Sequence, residues 1–147
     1  MHCKTEILIS VKPRYFDLMV AGEKTVELRR RAVRVPAGTR VWIYSTIPNG
    51  WVGAVGEVSY VYESQPNEIW SRFAQRTGIS RQDFNGYFSG SHSGCAIVFR
   101  RIVPLEKAIL LEDLRRHVGS FHPPQFYKRL DPTSKELAFF RIAAPSF

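Results

Sequence analysis

The stretch ISVKPRY at residues 9–15 and the stretch AGEKTVELRR at residues 21–30 decide the fold. The first of them closes a run of alternating, β-rich residues, which predicts a strand over residues 6–11. Pro13 suits the first turn of a helix, and Gly22 stands where that helix is expected to end. The chain is therefore predicted to open with a strand, a helix and a second strand.

The second strand carries charged side chains on one face. Val26 and Leu28 alternate with Glu27 and Arg29, so the apolar pair and the charged pair face opposite sides of the sheet. Strict alternation places Lys24 on the side opposite the charged pair, unless Lys24 precedes the strand. The sequence leaves open whether Lys24, Glu27 and Arg29 converge.

Turn signals divide the rest of the chain into short elements. Gly50 ends a Pro-Asn-Gly turn, Ser80 suits a helix N-cap, and residues 134–142 fit either a helix or a strand. Further strands are predicted at residues 25–31, 41–45, 52–62 and 95–103, with 105–110 as an extension, and further helices at residues 69–74, after Ser80 and at 111–118. This order predicts an α+β fold, a small, partly closed β-barrel with flanking helices, in a single domain covering residues 1–147.

Length and composition favour one small globular domain. The 147 residues suit a single domain, and 44% hydrophobic residues suffice for a core. No apolar run reaches the roughly 18 residues that span a membrane, and the first residues lack the apolar stretch of a signal peptide. We therefore expect a cytoplasmic protein with no membrane partner.

The sequence predicts neither a metal site nor a cofactor. It contains two cysteines, Cys3 and Cys95, with no Cys-x-x-Cys pair, and its four histidines are scattered. Cys95 lies in a predicted strand, and we interpret it as a buried core thiol.

Basic residues cluster in one short segment of the chain, residues 24–40. The formal net charge is +8, which favours a polyanionic partner such as nucleic acid. A clustered patch is the expected footprint of phosphate binding, whereas dispersed surface charge would serve solubility. The clustered residues are Lys24, Arg29, Arg30, Arg31, Arg34 and Arg40.

The spacing Gly-x-Lys-x-x-Glu-x-Arg at residues 22–29, after a strand and a helix, resembles the signature of the ASCH domain family. Residues 70–90 and 123–125 also resemble one bacterial branch of that family, so the likeness covers most of the chain. It implies a PUA-like β-barrel with a cleft beside the first helix, and a role in RNA metabolism or RNA-linked regulation. Members of the family include RNA-binding modules, ribonucleases and an amidohydrolase that removes the acetyl group from acetylated cytidine.

Candidate site residues follow from this signature and its surroundings. Lys24, Glu27 and Tyr44 are the candidate catalytic groups, because a desolvated lysine can assist water and a tyrosine hydroxyl can donate a proton. The alternatives are a surface ion pair for the charged residues and barrel lining for Tyr44. The candidate nucleic-acid contacts are Lys12, Arg14, Lys24, Arg29, Arg30, Arg31, Arg34, Tyr44, Ser45 and Gln125.

Lys24 and Glu27 do not belong to the apolar pattern. We therefore expect both side chains to be exposed, and we expect their substitution to weaken ligand binding while changing stability little.

Three positions depart from the patterns that related members carry. Gly50 stands where related bacterial members commonly carry a lysine, and Phe126 stands where they commonly carry a serine. Neither residue can transfer a proton or supply charge, which argues against RNA cleavage by a tyrosine, a lysine and a serine. Glu27 stands where the deacetylating branch tends to carry a hydroxyl residue.

Two main functions remain open, a non-catalytic RNA-binding module and an enzyme that acts on a modified nucleoside or on RNA. A third is a regulator that binds a small nucleotide or a protein. The expected partner is RNA or a modified nucleoside. A deep pocket with Lys24 buried would favour an enzyme, whereas a shallow basic groove would favour a binding module.

Overall fold

A computed structural model describes residues 4–144 and 147. These residues form six strands and five α-helices in the predicted α+β arrangement. The strands are β1 (Glu6–Val11), β2 (Val26–Arg29), β3 (Arg40–Ser45), β4 (Trp51–Ser64), β5 (Gly94–Leu110) and β6 (Tyr127–Arg129). The helices are α1 (Pro13–Val20), α2 (Pro66–Phe73), α3 (Arg81–Tyr87), α4 (Leu111–Val118) and α5 (Lys135–Ala143), with a 3-10 turn at Ala74–Arg76.

The six strands form one mixed sheet in the order β2-β5-β4-β3-β1-β6. Strands β1 and β3 run parallel, and the other neighbours run antiparallel. The long strands β4 and β5 shift register several times, and such bulges bend a sheet. The predicted, partly closed barrel is thus a half-barrel.

Helices cover both faces of this half-barrel. Helix α1 covers one face, where Phe16 and Met19 pack with Ile9. Helices α4 and α5 cover the other face, where Leu114 and Phe140 are buried. A third apolar cluster joins α2 and α3 to strands β2 and β5. The arrangement brings the side of α1 towards α3, and the candidate site lies between these two helices.

Several elements differ from the sequence prediction. Strand β5 continues through Pro104, which lies opposite Ala54 beside a shift in register, the kind of position where a strand tolerates proline. Strand β2 ends at Arg29, two residues earlier than predicted. The ambiguous tail is a helix, because the hydroxyl of Ser134 accepts a hydrogen bond from the N–H of Leu137 at 3.2 Å and caps it. The short strand β6 was not predicted.

Cys95 is a buried core thiol, as predicted. Its sulfur accepts a hydrogen bond from the backbone N–H of Val33 at 3.4 Å. Burial raises the pKa of the thiol, which keeps it in the unreactive protonated form. Cys3 lies outside the described residues.

Gly53 lies in β4 beneath the contact between α1 and the sheet. Phe16 and Trp51 meet there edge to face, with ring centroids 4.8 Å apart. A Cβ atom on Gly53 would lie 2.6 Å from Cζ of Phe16, and closer still to the ring of Trp51. The absence of a side chain at this position lets α1 pack closely on the sheet.

We predict that Gly53→Ala lowers the free energy of unfolding by about 1–3 kcal/mol, because overpacking displaces both aromatic rings. Gly86→Ala is the matched control, since Gly86 lies in α3 with open space around its Cβ position. Alanine there should stabilise the helix by roughly 1 kcal/mol. Chemical denaturation of both variants measures the two effects, and unchanged stability of Gly53→Ala would contradict the packing described.

Candidate functional site

The loop between α1 and β2 brings Lys24 to the charged face of β2. Gly22 takes a left-handed conformation with φ 81°, which favours glycine. The backbone N–H groups of Glu23 and Lys24 both donate to the carbonyl of Leu18, at 2.9 and 3.0 Å. Because β2 begins only at Val26, strand alternation does not apply to Lys24.

Lys24, Glu27 and Arg29 converge in one buried chain of ion pairs, which we call the charged triad. Glu27 lies in the middle, with Oε1 3.4 Å from Nζ of Lys24 and Oε2 2.8 Å from Nη2 of Arg29. Lys24 is 1% exposed and Glu27 is 7% exposed. The expectation of exposed side chains is therefore wrong for both residues, because each charge finds an opposite charge inside the fold.

The ammonium group of Lys24 is saturated with acceptors. It donates to the carbonyl of Val26 at 3.0 Å and to the carbonyl of Thr77 at 2.5 Å, in addition to its contact with Glu27. An ammonium has three donors, so all of them are engaged. Burial lowers the pKa of Lys24, and the charge of Glu27 opposes that shift.

Arg29 ties the triad to two distant parts of the chain. Its Nη2 donates to the carbonyl of Ser10 at 2.9 Å, and its Nη1 donates to the carbonyl of Phe126 at 2.9 Å. Its Nε is buried with no hydrogen-bond partner among the described residues. The guanidinium thus joins β2 to β1 and to the segment that precedes β6.

The charged triad lines the floor of a cleft of about 510 Å³ between α1 and α3. Such a volume is typical of small-molecule sites. Lys12 and Arg14 lie exposed at its mouth, and Asp83 of α3 lies 3.9 Å from Nη2 of Arg14. Four cationic side chains and two carboxylates line the cleft, so positive charge is in excess. Its other walls include Val11, Tyr15, Leu28, Ile79 and Tyr87.

The cleft brings together part of the predicted site. The predicted residues that line it are Lys12, Arg14, Lys24, Glu27, Arg29 and Gln125. Arg30, Arg31 and Arg34 are exposed and do not line the cleft. Arg34 is also paired with Glu63, with Nε 3.1 Å from Oε1. The basic cluster of the sequence is therefore divided between the cleft and the surface beside it.

Tyr44 and Ser45 do not line the cleft. Strand β3 directs Tyr44 into the apolar layer under α4 and α5, where it is 2% exposed. Burial raises the pKa of its hydroxyl. Ser45 is buried, and its Oγ accepts a hydrogen bond from Nδ2 of Asn49 at 2.9 Å. The position of Tyr44 agrees with barrel lining rather than with stacking on a base in the cleft.

The sequence did not single out Tyr15, Asp83 and Tyr87 as site residues. The hydroxyl of Tyr87 donates to the carbonyl of Leu28 at 3.3 Å, which fixes α3 against β2. No local pattern signals this contact, because α3 and β2 are far apart in the chain. Tyr15 directly follows Arg14 at the start of α1, and this position could have indicated that Tyr15 belongs to the site.

Within residues 4–144 and 147, no group of three or more His, Cys, Asp or Glu side chains is placed to hold a metal ion. No helix among the same residues is long and apolar enough to cross a membrane.

Comparison with known proteins identifies the family. No protein-family model matches the chain. A curated relative from Zymomonas mobilis, described as an ASCH domain-containing ribonuclease, is 32% identical over 122 residues, which is 83% of this chain and 82% of the relative. This chain belongs to the ASCH domain family.

Solved structures agree with this membership. The crystal structure of ASCH from Zymomonas mobilis matches with a TM-score of 0.85 and 30% identity, covering 92% of this chain and 92% of that chain. The NMR structure of Rpa0253 from Rhodopseudomonas palustris matches with a TM-score of 0.54 and 13% identity over 97% of this chain and 95% of that chain. That second likeness concerns the fold alone. The resemblance to ASCH domains and the fold class predicted from the sequence are both confirmed.

We predict that Glu27→Ala lowers the free energy of unfolding by about 3–5 kcal/mol, because it leaves two buried cations without their shared carboxylate. Glu63→Ala is the matched control: it removes an exposed glutamate that also pairs with an arginine, and such pairs contribute about 0–1 kcal/mol. Urea denaturation of both variants measures the difference. Equal losses in the two variants would show that the triad does not stabilise the fold.

Proposed function

We propose that this ASCH domain binds RNA and seats one nucleotide in the cleft between α1 and α3. The observation that carries the proposal is the excess of positive charge in a cleft with apolar and aromatic walls. Family membership supports the same partner, since the Zymomonas relative is described as a ribonuclease. RNA binding by domains of this kind combines phosphate contacts with the enclosure of an unstacked base.

The cleft has separate places for a phosphate and for a base. Lys12 and Arg14 lie at the exposed mouth, where cations neutralise phosphates and release counterions. Val11, Leu28 and Ile79 form apolar wall further in, which suits the flat faces of a base. The proposed orientation therefore has the backbone at the mouth and the base towards the charged triad.

Basic residues continue from the rim of the cleft across the neighbouring surface. The guanidinium of Arg31 lies 5.7 Å from the ring centre of Phe126. Phe126 directly follows Gln125, which lines the rim of the cleft. Arg129 donates to the carbonyl of Arg34 at 3.4 Å. An RNA strand that leaves the cleft on this side meets exposed guanidinium groups and one aromatic ring, so we include this surface in the proposed contact area.

We predict that the protein binds single-stranded RNA with a log–log salt slope of about −0.7 per phosphate neutralised. Arg14→Ala should weaken binding and reduce the magnitude of the slope by about 0.7. Arg116→Ala is the matched control, because both arginines are exposed, with 60% and 69% of the side chain accessible, and each lies near one aspartate. Arg116 lies in α4 and does not line the cleft.

Fluorescence anisotropy with labelled RNA at several salt concentrations measures affinity and slope together. A flat salt response, or equal effects of the two arginine substitutions, would refute binding through the cleft.

A second candidate function is hydrolysis of a modified nucleoside, and the burial of Lys24 favours it. Burial lowers the pKa of Lys24, which brings a lysine closer to use as a base. The ammonium already donates to the carbonyls of Val26 and Thr77 and forms an ion pair with Glu27, so loss of its proton would remove the ion pair. Glu27 also occupies the position where deacetylating relatives tend to carry a hydroxyl. Binding therefore remains the first proposal.

Ribonuclease activity has weaker support from the arrangement of side chains. One crystal structure of the Zymomonas protein carries a tyrosine-to-phenylalanine substitution, and another carries a serine-to-alanine substitution. Related members carry a tyrosine and a serine in the patterns around positions 44 and 126. Here Tyr44 is buried away from the cleft, and Phe126 replaces the serine. Gly50 also lacks the charge that the corresponding lysine would supply to a phosphorane.

We predict no substantial RNA cleavage by the purified protein, and we expect any turnover to be on an acetylated or otherwise modified nucleoside, with acetylated cytidine as the substrate tested. RNA integrity on a gel and acetate release are measured on one preparation. Cleavage that co-purifies with the protein and disappears in Tyr44→Phe would overturn the first part. If neither RNA cleavage nor acetate release is detected while RNA binding is intact, the result would favour a non-catalytic binding module.

A further inference from the structure

The carboxylate of Glu27 provides hydrogen-bond acceptors at the floor of the cleft. Lys24 donates to two carbonyls and pairs with Glu27. Arg29 makes three hydrogen bonds through its terminal nitrogens, and its Nε, which has no partner among the described residues, is buried. An ionised carboxylate offers about four acceptor positions, and the two cations occupy one on each oxygen of Glu27. Glu27 lines the cleft and 10% of its side chain is accessible, so its carboxylate can accept from a ligand that enters there.

A carboxylate at the floor selects ligands by their donors. Lys24 and Arg29 direct their hydrogen bonds to partners within the protein, whereas Lys12 and Arg14 are exposed at the mouth, so a phosphate belongs at the mouth. The Watson–Crick edge of guanine carries two adjacent donors, N1–H and the N2 amine, which match the two oxygens of a carboxylate. Adenine and cytosine place an acceptor nitrogen beside their amine, and uracil places carbonyl oxygens on both sides of its N–H, so each presents a lone pair to the carboxylate.

We propose that Glu27 is a specificity-determining residue that selects guanine as the base bound in the cleft. This inference rests on the proposed RNA binding and adds the identity of the base. Lys24 and Arg29 hold the carboxylate in position from both sides, so its orientation is fixed before the ligand arrives. The apolar wall formed by Val11, Leu28 and Ile79 lowers the local dielectric, which strengthens charge-assisted hydrogen bonds.

The test uses short oligouridine strands in which one central nucleotide is varied. The strand with guanosine should bind the wild-type protein at least about ten-fold more tightly than the strands with adenosine, cytidine or uridine. Inosine keeps N1–H and lacks the N2 amine, so the inosine strand should bind about ten-fold more weakly than the guanosine strand. Isothermal titration calorimetry or fluorescence anisotropy gives these affinities on the unaltered protein.

Variants extend the test to the carboxylate itself. Glu27→Gln replaces one acceptor oxygen by a donor, so it should abolish the preference for guanosine. Glu23→Gln is the matched control, because Glu23 is exposed and does not line the cleft. The Glu23→Gln protein should keep the preference for guanosine. If Glu27→Gln fails to fold, the comparison of guanosine with inosine on the wild-type protein decides the matter.

Two results overturn the inference in different ways. Equal affinity for all strands, or a preference for another base, overturns guanine selection and leaves RNA binding standing. Failure to bind any strand at low salt overturns RNA binding and guanine selection together.

Discussion

The structure depends on one constraint: two buried cations share the carboxylate of Glu27. The ammonium of Lys24 and the guanidinium of Arg29 approach different oxygens of that group. An uncompensated buried charge costs several kcal/mol, so the loop after α1, strand β2 and the partners of Arg29 are held in one arrangement. The cleft is the open side of the same arrangement. Stability and the shape of the site therefore come from the same few contacts.

The same constraint separates structural charge from charge that a ligand can meet. Arg40 belongs to the basic cluster of the sequence, yet its Nη1 lies 3.8 Å from the buried carboxylate of Glu6. Arg34 faces Glu63 on the surface. Arg30 and Arg31 remain exposed beside the cleft. A cluster of arginines in sequence thus becomes several separate environments, because each strand and loop turns its side chains towards different neighbours.

Local rules account for what the sequence predicted well. Pro13, Gly22 and Ser80 marked helix boundaries correctly, because capping and φ restrictions act within a few residues. The burial of Lys24 was not predicted, since hydropathy assigns a charged residue to the surface and the opposing charge is recognised only when the loop geometry is known. The contact of Arg29 with Phe126, 97 residues away, has no local signal.

The rim of the cleft is closed by parts of the chain that are made at different times. The hydroxyl of Ser10 donates to the carbonyl of Pro124 at 2.7 Å, and Arg29 reaches the carbonyl of Phe126 at 2.9 Å. Translation adds about 5–20 residues per second. The family signature at residues 22–29 is therefore synthesised roughly 5–20 seconds before the segment around Pro124 and Phe126 that closes the rim. During that interval Arg29 lacks its acceptor on Phe126. A nascent chain on the ribosome, surrounded by RNA, therefore has no finished cleft.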